Sequence, residues 1–181
     1  GGYSLFVGTI EPRKNIETLL DAYSRLPLEL RKRWPLVLTG YYGWRNESIH
    51  NRLESARREG WAFYLGFVPS EDLPLLFSGA RLFTFPSLYE GFGLPVLEAM
   101  SSGVPVVCSN SSSLPEVAGN TALMCEAADT VALTELLQRG LEDESWRASA
   151  IKQGLLHAAK FSWERCARET FEVYQKVVKG K

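Results

Sequence analysis

The sequence predicts an α/β protein, a doubly wound parallel sheet of about six strands covered by helices on both faces. Three observations predict it. Short apolar runs alternate with amphipathic segments of about 10–15 residues, which is the rhythm of parallel strands joined by crossover helices. The runs end in small or polar pairs, Gly8-Thr9, Gly40-Tyr41, Gly66-Phe67, Pro86-Ser87 and Ser109-Asn110, leaving a crevice at the carboxyl edge where such sheets bind ligands. Finally, residues 86–100 pass from an apolar run through a glycine loop into a helix start.

Taken in order, Tyr3–Val7 reads as the first strand, and Asn15 as the N-cap of a helix. That helix carries Ile16, Leu19, Leu20, Tyr23 and Leu26 on one stripe, the face expected on the sheet. A short helical turn ends at Pro35, and Leu36–Gly40 is the second strand. The aromatic loop Tyr41-Tyr42-Gly43-Trp44 precedes a polar helix over about Ser48–Glu59, and Trp61–Leu65 is the third strand. Ser70, with Glu71 and Asp72 in the first turn, is expected to start a helix reaching about Phe77. Leu82–Phe85 is the fourth strand, and a helix follows with Pro95 at its first position, where no donor is lost. Val106–Cys108 is the fifth strand, Leu114–Ala118 a turn of helix, and Ala122–Met124 a brief sixth strand. Helices are expected over about Thr130–Leu141, Glu144–Lys160 and, capped by Ser162, Trp163–Val178. The last carries Trp163, Cys166, Ala167, Thr170, Phe171, Tyr174 and Val177 on one broad stripe. No repeat or linker divides the chain, so 1–181 is read as one domain.

Composition excludes several classes. An apolar fraction of 45% and a charged fraction of 23% suit a globular domain. A net charge of −1 leaves no electrostatic footprint for nucleic acid. Cys108, Cys125 and Cys166 lack metal or redox spacing and fit reduced thiols in a cytoplasmic protein. His50 and His157 are too few for a histidine-rich metal site. There is no apolar run of ~18 residues for a membrane span and no signal peptide. Gly1-Gly2 leads straight into a strand, as at a boundary inside a longer protein. No aspartate ends a strand as in a phospho-receiver, and neither the P-loop nor the dinucleotide fingerprint is present.

The chemistry concentrates in Ser87–Glu98. Gly91 and Gly93 allow a tight turn and close approach to a ligand, and the helix start at Pro95 directs free N–H groups and a positive dipole end at the same spot. Glu90 and Glu98 flank it, eight positions apart, one on the loop and one expected on the first helical turn, where it would also complement the dipole. Arg13 and Lys14 lie on the same sheet edge, either as a solvated basic pair or as cations for a diphosphate. Tyr41, Tyr42 and Trp44 fit packing better than crevice lining.

The stretch Glu90-Gly-Phe-Gly-Leu-Pro-Val-Leu-Glu98 resembles the Glu-x7-Glu motif of the retaining GT-B glycosyltransferases, the "glycosyl transferases group 1" family. The resemblance covers nearly the whole chain and implies a Rossmann-like domain, the C-terminal, donor-binding one of two, with the N-terminal acceptor domain absent. It implies that Glu90 contacts the donor sugar, that Glu98 holds the ribose, and that the amides of Gly91, Phe92, Gly93 and Leu94, beside Ser87, receive the diphosphate. Val7–Asn15 is similar to the family's first loop, with Gly8 at the strand end. Lys14 matches its pyrophosphate-binding lysine, while Thr9 stands where many members have arginine, a charge Arg13 would supply. Gly66-Phe67-Val68 matches the loop whose backbone reads the nucleobase, with the Phe67 side chain equally suited to the core. Ser112–Glu116 also resembles a family element, with Glu116 either a ligand or a first-turn helix residue.

The Glu-Pro-Arg-Lys-Asn loop is similar to that of mannosyltransferases of bacterial surface-polysaccharide assembly, which implies GDP-mannose as donor substrate, and a glycan or lipid-linked acceptor. Neither cofactor nor metal is expected, because Lys14 and Arg13 supply the charge and no Asp-x-Asp is present. Two alternatives stay open: a GT-B relative such as a sugar-nucleotide epimerase, and a non-catalytic nucleotide-sugar-binding module. A phosphorylase would need a pyridoxal lysine, and Lys14 is already committed.

Overall fold

The computed structural model describes residues 2–44 and 47–179. Six strands form one sheet: β1 (Ser4–Val7), β2 (Leu36–Thr39), β3 (Ala62–Tyr64), β4 (Leu82–Phe85), β5 (Val106–Ser109) and β6 (Leu123–Cys125). Their order is β3-β2-β1-β4-β5-β6, and every pairing is parallel. Leu5 of β1 lies between Val37 of β2 and Phe83 of β4, so the order reverses at the β1–β4 boundary. In open α/β sheets that reversal opens a crevice beyond the strand ends.

The helices are α1 (Ile16–Arg25), α2 (Leu28–Arg33), α3 (Glu47–Arg58), α4 (Leu73–Gly79), α5 (Leu94–Ser101), α6 (Leu114–Ala118), α7 (Thr130–Glu142), α8 (Glu144–Ala158) and α9 (Trp163–Lys179). α1 packs against α3 and α7, while α5 packs against α6 and α8. These are the two layers that right-handed crossovers build on opposite faces of one sheet. Strands β1, β2, β4 and β5 are covered on both faces and mostly apolar: Leu5, Phe6, Leu36, Leu38, Phe83, Phe85 and Val107 are buried, along with the polar Ser4, Thr39, Thr84 and Ser109. Phe6, Phe85 and Phe83 stack in a row, with ring centroids 5.9 and 5.7 Å apart.

Three expectations need correction. Ser70–Asp72 form a turn, with the Asp72 amide on the Pro69 carbonyl, and α4 starts only at Leu73. α5 begins at Leu94, so Pro95 is its second residue and Glu98 its fifth, beyond the first turn. Asn15 does precede α1, but in a left-handed conformation (φ 56°) and without capping a helix amide. Its side-chain amide instead donates to the carbonyls of Pro86 (3.0 Å) and Ala127 (2.6 Å). The apolar stripe of α9 stays uncovered, none of the helix's residues being buried. By contrast Ser162 caps α9 as expected, its Oγ accepting from the Arg165 amide at 3.1 Å.

Candidate functional site

The site grows from the loops that leave β1 and β4 on either side of the reversal. After β1, Gly8 approaches the end of β2 so closely that a Cβ on Gly40 would fall 2.0 Å from the Gly8 carbonyl oxygen. The chain then makes a short 3-10 turn, Pro12–Lys14, and Asn15 swings it into α1. That turn aims Arg13 outward and Lys14 inward. Lys14 is only 7% exposed, and its Nζ stands 4.7 Å above the Phe85 ring at the end of β4. The two loops are stitched together, because the Leu88 amide donates to the Arg13 carbonyl (2.9 Å) and Arg13 Nη1 to the Tyr89 carbonyl (3.0 Å).

Glu90 is the meeting point. Its Oε1 accepts from Lys14 Nζ at 2.6 Å and its Oε2 from Arg13 Nη1 at 2.8 Å, while Arg13 also reaches Glu11 at 2.6 Å. The carboxylate is nearly enclosed, at 8% exposure. Burial alone would push its pKa up, but the Lys14 hydrogen bond, the nearby Ser87 and the charges of Lys14 and Arg13 outweigh it and hold Glu90 below the usual carboxylate range. The Ser87 hydroxyl is itself buried with no hydrogen bond formed. Arg13 is held above its ordinary value: desolvation works against the charge, and Glu90 and Glu11 more than restore it.

Beyond Glu90 the amides of Gly91, Phe92, Gly93 and Leu94 make no hydrogen bond among the described residues. Gly93 has φ 104°, and a Cβ there would lie 2.7 Å from Leu114 Cδ2; a glycine is required. Gly91 has no such φ and faces open space, which suits the close approach its motif implies. Glu98 is exposed and, among the described residues, unpartnered; desolvation of its carboxyl raises its pKa. Glu116 lies in the first turn of the five-residue α6 and makes no recorded contact with the cluster.

At the other end of the crevice Thr39 Oγ1 donates to the Gly66 carbonyl at 2.8 Å, fixing the β2 and β3 ends together. Gly66 sits at φ 74° and Val68 is half-buried. Phe67 is 56% exposed, so the core alternative for it fails. Its ring stacks on Tyr41, 61% exposed, at 4.6 Å, and Tyr42 stacks on His50 at 3.7 Å. Tyr41, Tyr42 and Trp44 therefore form an exposed aromatic rim, not interior packing. Thr9 is half-buried in the first loop and belongs to no charged contact.

Sequence reasoning brought together Lys14, Arg13 and the glycine loop on one edge. It missed that Glu90 is the counter-ion of both cations, and that serines from the loop after β5 hold Glu90's backbone. The signal was the serine run Ser109–Ser113, whose use depends on β5 lying beside β4. No cluster of three or more His, Cys, Asp or Glu among the described residues could hold a metal ion. No helix among them is long and apolar enough to cross a membrane.

Residues 2–157 match the family described as "Glycosyl transferases group 1". The chain is 53% identical over 174 residues to an Escherichia coli O-antigen chain mannosyltransferase B, covering 96% of this chain and 46% of that protein. It is 38% identical over 182 residues to the E. coli serotype-specific mannosyltransferase WbdA, of which it covers 22%. The chain thus spans less than half the length of these relatives. A sucrose-phosphate synthase from Thermosynechococcus elongatus superposes with a TM-score of 0.80 at 27% identity, over 99% of this chain and 46% of that one. Anabaena Alr3699/HepE, solved in complex with UDP-glucose, shares the fold with a TM-score of 0.81 at 21% identity, over 97% of this chain and 49% of that one. The chain belongs to the glycosyl transferases group 1 family, and its sheet is the Rossmann-like fold of GT-B glycosyltransferases.

Proposed function

We propose that this chain is the donor-binding half of a retaining glycosyltransferase that moves mannose from GDP-mannose to a hydroxyl of a glycan or lipid-linked acceptor in polysaccharide synthesis. The observation that carries the reading is the convergence of Lys14, Arg13 and Glu90 at the strand-order reversal, beside four free amides at a helix start. That edge is built for a ligand with two phosphates and a polar sugar. Mannose comes from the mannosyltransferase relatives, which align over nearly all of this chain, and the GDP carrier from the first-loop resemblance.

As the anomeric C–O bond breaks, its electron pair passes to the β-phosphate oxygen. Lys14, Arg13 and the amides of Gly91–Leu94 stabilise the charge that develops there. Donors placed in advance of the reaction are worth roughly 10²–10³ in rate each. The acceptor oxygen attacks the face the phosphate leaves, and its proton passes to that phosphate, so no protein base is needed. Glu90 contacts sugar hydroxyls, Glu98 the ribose, and the backbone of Gly66–Val68 the base edge. The cations serve in place of a metal. Acceptor binding falls to an N-terminal half.

Calorimetric titration with GDP, UDP, ADP and their sugars tests this. GDP-mannose should bind most tightly; binding of none would reject the donor site, and preference for a UDP-sugar would reject the mannose assignment. Epimerisation of a bound sugar without an acceptor would favour the epimerase alternative.

A further inference from the structure

The loop that carries Glu90 is not shaped by its glycines alone. We infer that Ser112 and Ser113 are positioning residues for Glu90: their hydroxyls fix its peptide so that one carboxylate reaches Lys14 and Arg13 together. Both backbone polar groups of Glu90 go to this pair. Its N–H donates to Ser112 Oγ at 2.8 Å, and its carbonyl accepts from Ser113 Oγ at 3.0 Å. Ser113 Oγ also lies 2.8 Å from the Phe92 carbonyl, and Ser109 Oγ donates to the Ser87 carbonyl at 2.5 Å. The last residue of β5 and the loop after it thus hold the loop after β4 on both sides of Glu90.

The backbone of Ser112 is an independent observation. It has φ 50°, and among the described residues only Asn15 shares a positive φ without being glycine. Glycine or asparagine would sit there more easily. Ser112 is exposed, so core packing does not explain it. Strain of this kind persists where surrounding contacts over-determine the backbone, and here the contact is the acceptor offered to Glu90. The accuracy it provides matters because the carboxylate is shared, Oε1 to Lys14 and Oε2 to Arg13. A shift of about an ångström would keep one bond and lose the other, given how steeply hydrogen bonds weaken with geometry. The charged groups facing Glu90 are Lys14 and Arg13, with Glu11 behind Arg13.

For its effect on ligands the inference rests on the donor-site reading; for the placement of Glu90 it does not. The test is therefore split. Carbon-13 labelling of glutamate, with Glu90→Gln to assign the signal, follows the Glu90 titration without any nucleotide. Ser112→Gly removes the hydroxyl while relaxing the backbone, and Ser112→Asn keeps an acceptor that tolerates positive φ. Ser112→Gly and Ser113→Ala should move the Glu90 pKa up by about one unit or more, the size of an opposite-charge contact loosened, with folding intact by circular dichroism. Ser112→Asn should stay near wild type. A Glu90 titration unchanged in Ser112→Gly, or shifted equally in Ser112→Asn, would overturn the positioning role. In a second arm, the affinity ratio of GDP-mannose to GDP should fall several-fold in Ser112→Gly. An unchanged ratio in a wild-type chain that does bind GDP would overturn the role in ligand recognition. A wild-type chain that binds neither ligand refutes the donor-site reading instead, and the titration still decides the placement.

Discussion

Lys14 and Glu90 form a nearly enclosed ion pair, in which Lys14 depends on Glu90 alone while Glu90 also holds Arg13. Glu90→Leu, which leaves Lys14 buried and unpaired, should cost about 3–5 kcal/mol in urea unfolding, the usual penalty for breaking a buried pair, and pairing it with Lys14→Met should recover most of that. The same pair sets an acid limit. Glu90 has its folded pKa below the unfolded value, so its stabilisation is fully present above the unfolded carboxylate pKa and is lost as pH falls through the folded one. Urea midpoints across that interval should drop less steeply in Glu90→Gln. Because Glu90 already occupies both cations, a diphosphate bound as proposed would have to displace it. Glu90→Gln should therefore bind bare GDP more tightly, by about tenfold or ~1.4 kcal/mol, while losing the gain from the sugar. Glu98→Ala should do the reverse, weakening bare GDP by ~1.5–3 kcal/mol through lost charged hydrogen bonds to ribose. Equal GDP affinities in wild type and both variants would remove both glutamates from the site.

Among the elements, all six strands were legible, because parallel strands buried on both faces read as apolar runs with glycine or polar stops. Helix starts were less so. Ser70–Asp72 carries good first-turn residues, yet its backbone closes a turn on Pro69 first. Asn15 has a capping residue's identity but spends its amide on Pro86 and Ala127, contacts that exist only once β1 lies beside β4. The Lys14–Glu90 pair was hidden for the same reason, its partners being 76 positions apart. So was the anchor at the α7–α8 corner. There Arg147 Nη1 donates to the carbonyls of Arg81 and Gly140, and Arg81 donates to the Leu141 carbonyl at 2.8 and 2.7 Å and pairs with Glu144. Arg147→Leu should cost about 1–3 kcal/mol for each carbonyl left buried and unpaired, read from urea unfolding. Gly93→Ala should cost at least ~1–2 kcal/mol from its left-handed backbone alone, a loss visible in thermal melts.

For the whole molecule, the two packed layers make a core of their own, and the residues proposed to bind the donor all belong to this chain. The chain should therefore fold and bind nucleotide alone yet transfer no sugar. Transfer needs an acceptor held in line, and orientation is worth ~7–11 kcal/mol of a barrier. Sugar transfer by this chain at the rate of the intact protein would refute the division of labour. α9 has no buried residue, with Trp163 76% and Tyr174 64% exposed, so removing it should leave the melting temperature of the rest nearly unchanged. It is nonetheless not idle with respect to the crevice. Phe161, in the short connector between α8 and α9, meets the Phe92 ring edge-on at 6.1 Å, and Phe92 lies between Gly91 and Gly93. A load placed on α9 would reach their loop through this one ring contact. Amide exchange at Gly91 and Gly93 should register the load.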